Sequence, residues 1–235
     1  MRLILSLSKD AVRNCSQTSA ERGKGSSMIV YGSSLSPFTR KALTFMGEKG
    51  LPFEHRPVRP QDNSADFRAA SPLGRIPALV DGAFTLADSS AICHYIERKY
   101  PQPALMPAEP EAFGRMMWFE EFSDTVLIPT AGKVFFQLRV RPTLLKQEPD
   151  MAVVDQALTK DIPPVLDYLE KQIDGPFLVG GRLSLADIAI HCIFVNLKIA
   201  GHPLDARRWP RLGEYLAGLL ARPAFARVRD PQPAG

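Results

Sequence analysis

The sequence predicts an α/β domain over residues 28–101, a proline-rich linker over 102–110 and an all-α domain over 111–229. Three observations carry this. Short apolar runs of strand length alternate with helical periods up to about residue 100. Four prolines then fall between Pro101 and Pro110 without an apolar period. Beyond them only the helical period recurs, and 235 residues suffice for two modest cores.

The first strand is Met28 to Tyr31, which runs through Gly32-Ser33-Ser34-Leu35 into a helix opened by Ser36-Pro37. Serine caps a helix because its oxygen takes up an orphan N–H, and proline suits the first turn, where no N–H is needed. Phe38, Ala42 and Phe45 give that helix one apolar face, and Gly50 stands where a left-handed C′ residue belongs. Residues 52–58 alternate as a second strand, and a short helix is expected over Ala65 to Ala70. Pro77 opens a third strand and is expected in the cis form. Asp81-Gly82 reads as the turn of a hairpin into Phe84-Thr85-Leu86. Asp88 or Ser89 caps a helix with Ile92, Tyr95, Ile96 and Tyr100 on one side. A βαβ unit followed by ββα is a thioredoxin-like arrangement.

In the second domain, helical periods cover residues 111 to about 140, with a break or kink expected near Pro129, and 151 to about 172, with a kink or break at Pro163-Pro164. Ser184 and Asp187 form a capping box before the apolar stretch Ile188 to Val195, a helix apolar all round and hence central. Trp209 to Ala221 gives a last amphipathic helix, and residues 230–235 read as a disordered tail.

Composition excludes several classes. The net charge of +4 owes much to residues 1–27, which hold five basic and two acidic side chains; without them 24 basic residues face 23 acidic ones. This polar stretch reads as a dispensable or non-native extension before a functional start at Met28. The nearly neutral remainder has no basic stripe, so no nucleic-acid partner is expected, and no apolar run is long enough for a membrane span. Cys15, Cys93 and Cys192 lack ligand or disulfide spacing, as do His55, His94, His191 and His202. No metal and a reducing, cytoplasmic compartment are expected.

The stretch at Ser36 allows two readings. The plain one is a helix cap. The other is an anion or thiolate site, since a hydroxyl there sits beside free N–H groups and the positive helix end. Four motifs in order decide between them: Ser36-Pro37-Phe38-Thr39-Arg40, Arg75-Ile76-Pro77-Ala78-Leu79, Asp88-Ser89-Ser90-Ala91-Ile92 and Ser184-Leu185-Ala186-Asp187.

Together they resemble the cytosolic glutathione S-transferase family, over Met28 to about Val228, and most nearly its bacterial, serine-type members with a Ser-Pro-Phe first motif. The resemblance implies glutathione as co-substrate, bound by Ser36, Arg75, Ile76, Pro77, Asp88 and Ser89. Ser36 is then the catalytic hydroxyl that lowers the thiol pKa, with Ser33 and Ser34 as alternates. The sequence departs from relatives that carry a catalytic cysteine near Ser33 or at Ser36. The implied reaction is attack by the glutathione thiolate on a small hydrophobic electrophile, in a detoxifying homodimer. Leu35, Trp118, Phe119 and Phe122 are candidate walls of the second-substrate pocket. Isomerase, dehalogenase, ether-cleaving and peroxidase chemistries share the same first site, and a non-catalytic interaction module is the alternative from another class.

Overall fold

In a computed structural model, the described residues are 28–59 and 61–229. The expectations for residues 1–27 and for the tail at 230–235 lie outside them. The α/β part contains β1 (Met28–Tyr31), α1 (Pro37–Glu48), β2 (Phe53–Arg56), α2 (Ala65–Ala70), β3 (Ala78–Asp81), β4 (Phe84–Ala87) and α3 (Ser89–Lys99). Its strands lie in the order β2-β1-β3-β4, with β1 parallel to β2 and the other pairs antiparallel. This is the thioredoxin-like α/β fold.

Local signals placed most of these elements. Ser36 caps α1 with Pro37 at its start, its Oγ accepting from Thr39 N at 3.3 Å. Gly50, at φ +65°, closes α1 in a Schellman motif: Gly50 N donates to Gly47 O and Leu51 N to Met46 O. The hairpin differs by one residue from the expected turn. Asp81 pairs with Phe84, so the loop is Gly82-Ala83, with Gly82 at φ +63°.

The helical part holds α4 (Pro110–Phe122), α5 (Ile128–Phe135), α6 (Met151–Gln156), α7 (Ile162–Gln172), α8 (Leu185–Ile199), α9 (Pro210–Leu220) and α10 (Pro223–Arg229). The interior prolines neither break nor sharply end its long helices. π-helical segments at Ser123–Leu127, Phe136–Leu145 and Ala157–Asp161 precede or contain Pro129, Pro142 and Pro163-Pro164. A wider turn gives the pyrrolidine ring room against the carbonyl four residues back and tolerates the missing N–H. Helix α10 was not anticipated; it packs Phe225 into the core, while the neighbouring Arg222 forms a paired contact with Glu48 of α1.

The region between the two parts is anchored. Lys49 Nζ donates to the carbonyls of Tyr100 and Pro103 and pairs with Glu97, whose carboxylate accepts from Leu105 N and Met106 N. Leu185 N then donates to Leu105 O, which ties this stretch to the start of α8. Every residue of α8 from Leu185 to Leu197 is buried. The Asp187 carboxylate accepts from the backbone N of Leu178 and Ser184 and the hydroxyls of Ser184 and Tyr215. Burial pushes its pKa up, against those four donors.

His191, on α8 and 1% exposed, stands edge-on to Phe225. Burial lowers its pKa from 6.5 to about 3, with the Arg40 charge adding to the effect. The folded protein therefore keeps this ring neutral where the unfolded chain binds a proton. Stability present above pH 6.5 is lost as pH falls toward 3, by about 2 kcal/mol from this group between pH 7 and 5. Urea denaturation at the two pH values should show that loss, and His191→Gln should remove about that much of it. An unaltered pH dependence in the variant would contradict the assignment.

Candidate active site

Strand register gathers the candidate residues. Tyr31 of β1 pairs with Ala78 of β3, and Ala78 pairs with Ala87 of β4. The chain leaves β1 at Gly32, enters β3 from Ile76-Pro77 and leaves β4 at Asp88, all at one end of the sheet. The Ile76-Pro77 bond is cis. Since neighbouring strands lie about 4.8 Å apart, the three segments span roughly 10 Å, the reach of an extended tripeptide. Helices α1 and α3 both begin at this end, so two sets of orphan N–H groups and two positive dipole ends serve one area.

The first segment is tightly built. Gly32 packs against Thr39 so closely that a Cβ on it would lie 2.4 Å from Thr39 Oγ1 and 2.7 Å from Cγ2. Ser36 N donates to Ser33 O at 3.0 Å, and Ser33 Oγ accepts from Leu35 N at 3.2 Å. Ser36 Oγ likewise accepts from Thr39 N at 3.3 Å, so both hydroxyls act as acceptors in local turns and each keeps its own proton to donate. Arg40 Nη1 donates to the Ser34 carbonyl at 2.5 Å.

The third segment carries backbone strain. Asp88 has φ 145° and ψ 136°, a region that costs a residue with a Cβ about 1–3 kcal/mol. Its Oδ1 accepts from Ala91 N at 2.9 Å and caps α3. Asp88 is exposed and Ser89, the first residue of α3, is buried. Arg75 is exposed as well, with its carbonyl accepting from Ser71 Oγ at 2.7 Å.

Behind these segments lies a polar cluster that the sequence did not reveal. Lys41 Nζ, 1% exposed, donates to Glu120 Oε1 at 2.5 Å, Asp124 Oδ2 at 2.6 Å and Ser90 Oγ at 3.1 Å. Ser90 Oγ donates in turn to Glu120 Oε1. Burial alone would lower the Lys41 pKa, but the Asp124 and Glu120 carboxylates outweigh it and the net direction is up. The one signal available was position: Lys41 falls within the apolar stripe of Phe38, Ala42 and Phe45. The buried cysteines carry no thiolate. Burial raises the Cys93 thiol and pushes Cys192 up to about 12.

Of the candidate pocket walls, Leu35 and Trp118 are exposed, whereas Phe119 and Phe122 are buried in the core. Trp118 Nε1 donates to Tyr168 OH at 2.9 Å, and both rings lie near Phe122. A cavity of about 670 Å³ lies among Ile173, Phe177, Arg211, Tyr215 and Arg222. It is lined by none of the candidate residues, which strand register and the two helix starts bring together elsewhere. Among the described residues no cluster of potential metal ligands occurs and no helix is long and apolar enough to cross a membrane.

Comparison with known proteins bears on the same regions. The family description "Glutathione S-transferase, N-terminal domain" matches residues 30–104, and "Glutathione S-transferase, C-terminal domain" matches residues 151–218. Glutathione S-transferase 3 of Zea mays is 38% identical over 209 residues, covering 85% of this chain and 91% of that protein. Among solved structures, glutathione S-transferase-I bound with lactoylglutathione superposes with TM-score 0.78 at 26% identity, covering 87% of this chain and 99% of that one. Glutathione S-transferase I from mais in complex with an atrazine glutathione conjugate gives TM-score 0.77 at 27% identity, covering 87% and 97%.

The Gly32–Thr39 contact is directly testable. Gly32→Ala should destabilise the fold by about 2 kcal/mol, because the fully buried Thr39 has no room to yield. Thr39 Oγ1 has no hydrogen-bond partner, so the double variant Gly32→Ala/Thr39→Ala, which removes both the clashing Oγ1 and Cγ2 and adds one methyl, should recover most of the loss. Thermal denaturation of the three proteins measures both steps; additive losses would refute the contact.

Proposed function

The chain belongs to the glutathione S-transferase family and acts as a glutathione S-transferase; from that premise we propose how its own residues perform the reaction. The observation that carries the reading is the register that sets Ser36, Ile76-Pro77 and Asp88-Ser89 at one sheet end, beside two helix N-termini. Glutathione lies across this end. Its cysteinyl backbone pairs with Ile76, held in place by cis-Pro77. Its γ-glutamyl carboxylate meets Ser89 and the first N–H groups of α3, while Asp88 takes the ammonium and the exposed Arg75 takes the glycyl carboxylate.

Ser36 Oγ donates to the glutathione sulfur. A hydrogen bond to the charged form favours it, so the thiol loses its proton more readily at neutral pH. The positive end of α1 acts in the same direction. The thiolate then attacks an apolar electrophile, forming a carbon–sulfur bond as the leaving group departs or the electrons move into the acceptor. The protein orients the sulfur and shifts its proton equilibrium, and neither effect needs a protein nucleophile. The burial of Cys93 and Cys192, which holds both thiols toward the neutral form, supports this over exchange through either of them.

This makes the protein a serine-type member. The likeness to bacterial forms remains part of the reading, beside a plant relative at 38% identity. Residues 28–101 form the glutathione domain, and residues 111–229 supply the electrophile side, where the exposed Leu35 and Trp118 are the available apolar surface. The named neighbours support glutathione and its conjugates as ligands. A cytoplasmic, detoxifying homodimer completes the proposal on family grounds.

Titration calorimetry with reduced glutathione should show saturable binding, weakened about tenfold or more in Ser89→Ala. Ser36→Ala should keep binding within about twofold and lose turnover with a chlorodinitrobenzene electrophile by about a hundredfold. Equal turnover in wild type and Ser36→Ala would remove Ser36 from the mechanism.

A further inference from the structure

The loop that delivers Ser36 has four consecutive carbonyls, each holding a hydrogen bond. Gly32 O accepts from His55 Nε2 at 2.9 Å, Ser33 O from Ser36 N at 3.0 Å, Ser34 O from Arg40 Nη1 at 2.5 Å, and Leu35 O from Asn196 Nδ2 at 3.1 Å. The first three donors come from the α/β part. Asn196 comes from α8, 161 positions along the chain.

Its target matters, because the Leu35 carbonyl belongs to the peptide that joins Leu35 to Ser36. That rigid plane also carries the Ser36 N–H that closes the turn onto Ser33. Fixing its carbonyl fixes the point from which the Ser36 side chain springs. The exposed Leu35 side chain supplies no comparable anchor.

Packing does not account for this amide. Asn196 is 2% exposed and its Oδ1 has no hydrogen-bond partner. A half-satisfied buried amide costs more than an apolar side chain packed in its place, since no hydrogen bond offsets the desolvation of the unpaired oxygen. Asp187 on the same helix earns its place with four donors. Asn196 makes one bond, and that bond reaches the loop.

We propose that Asn196 is a positioning residue for the transferase reaction: from the helical part it clamps the Leu35–Ser36 peptide and thereby aims Ser36 Oγ at the glutathione sulfur. The inference rests on Ser36 being the hydroxyl that meets the sulfur. The groups assigned to binding, at Ile76 and Ser89, are not touched by Asn196. Losing the clamp should therefore alter thiol ionisation and turnover while leaving glutathione affinity in place.

Asn196→Leu removes both the donor and the unpaired oxygen while keeping the branching of the side chain, and Asn196→Ala, which adds no bulk, is the second variant should the larger leucine fail to fold. The ionisation of bound glutathione is read from ultraviolet thiolate absorbance against pH, alongside kcat and KM with chlorodinitrobenzene. The expected result is a thiol midpoint about one pH unit higher and kcat about tenfold lower. KM for glutathione should stay within about twofold. A folded variant with wild-type thiol ionisation and kcat would overturn the proposal. Ser36→Ala run in parallel separates the two ideas. If it moves the thiol midpoint and the Asn196 variants do not, only the clamp fails; if it leaves the midpoint in place, the role of Ser36 and the clamp fail together.

Discussion

Helix α1 has almost no outer face, and much of the structure follows from that. Its residues from Thr39 to Met46 are buried in succession, because α3, α8 and α10 all pack against it. Arg40 and Lys41 sit within that run. A buried charge without partners is prohibitively costly, so each must be met by groups brought from elsewhere. Arg40 reaches the Ser34 and Cys192 carbonyls, and Lys41 reaches Ser90, Glu120 and Asp124. Both sets include one partner from the α/β part and at least one from the helical part. Satisfying two buried cations therefore fixes how the two parts meet. Buried pairs of this kind contribute little net stability, and a role in specifying one arrangement is their best physical justification.

The same seam decides how precisely the proposed catalytic hydroxyl is placed. Ser36 stands at the mouth of α1, where the helix leaves the interior. Behind it the loop carbonyls are all engaged, and Gly32 presses on Thr39 with no spare space. The side chain is thus held from below while its own proton stays available. His191 fits this picture, since a second cation next to Arg40 would raise the cost of both; burial and the Arg40 charge keep the ring neutral.

The sequence made those features legible whose partners lie within about four residues. The Ser36-Pro37 cap, the Gly50 stop and the Ser184/Asp187 capping box needed only local chemistry. So did the all-round apolar character of α8, which foretold its central burial. What stayed hidden depended on distance along the chain. Lys41 could be seen in an apolar stripe, but nothing marked Glu120 and Asp124, about 80 positions on, as its partners. Phe119 and Phe122 share their period with Trp118, and only packing shows the first two facing inward and the third outward. The prolines misled only where a break was expected: the rule against proline in a helix assumes α geometry, and the chain runs on through π turns around Pro129 and Pro163. Helix α10 is only seven residues long, too short to display a period.

Asp88 shows how the two ends of the site are linked. Its backbone conformation is unfavourable for any side chain, so it persists only because its neighbours leave no alternative. On one side Ala87 is locked in register on β3. On the other, Ser89 is buried and Ser90 is bound to Glu120, so α3 cannot slide to relieve the strain. That anchor is the same carboxylate that neutralises Lys41 of α1. One buried acid from the helical part thus restrains the starts of both helices whose N-termini face the site. The serine at one end and the Asp88-Ser89 turn at the other are held at a fixed separation by a group that touches neither.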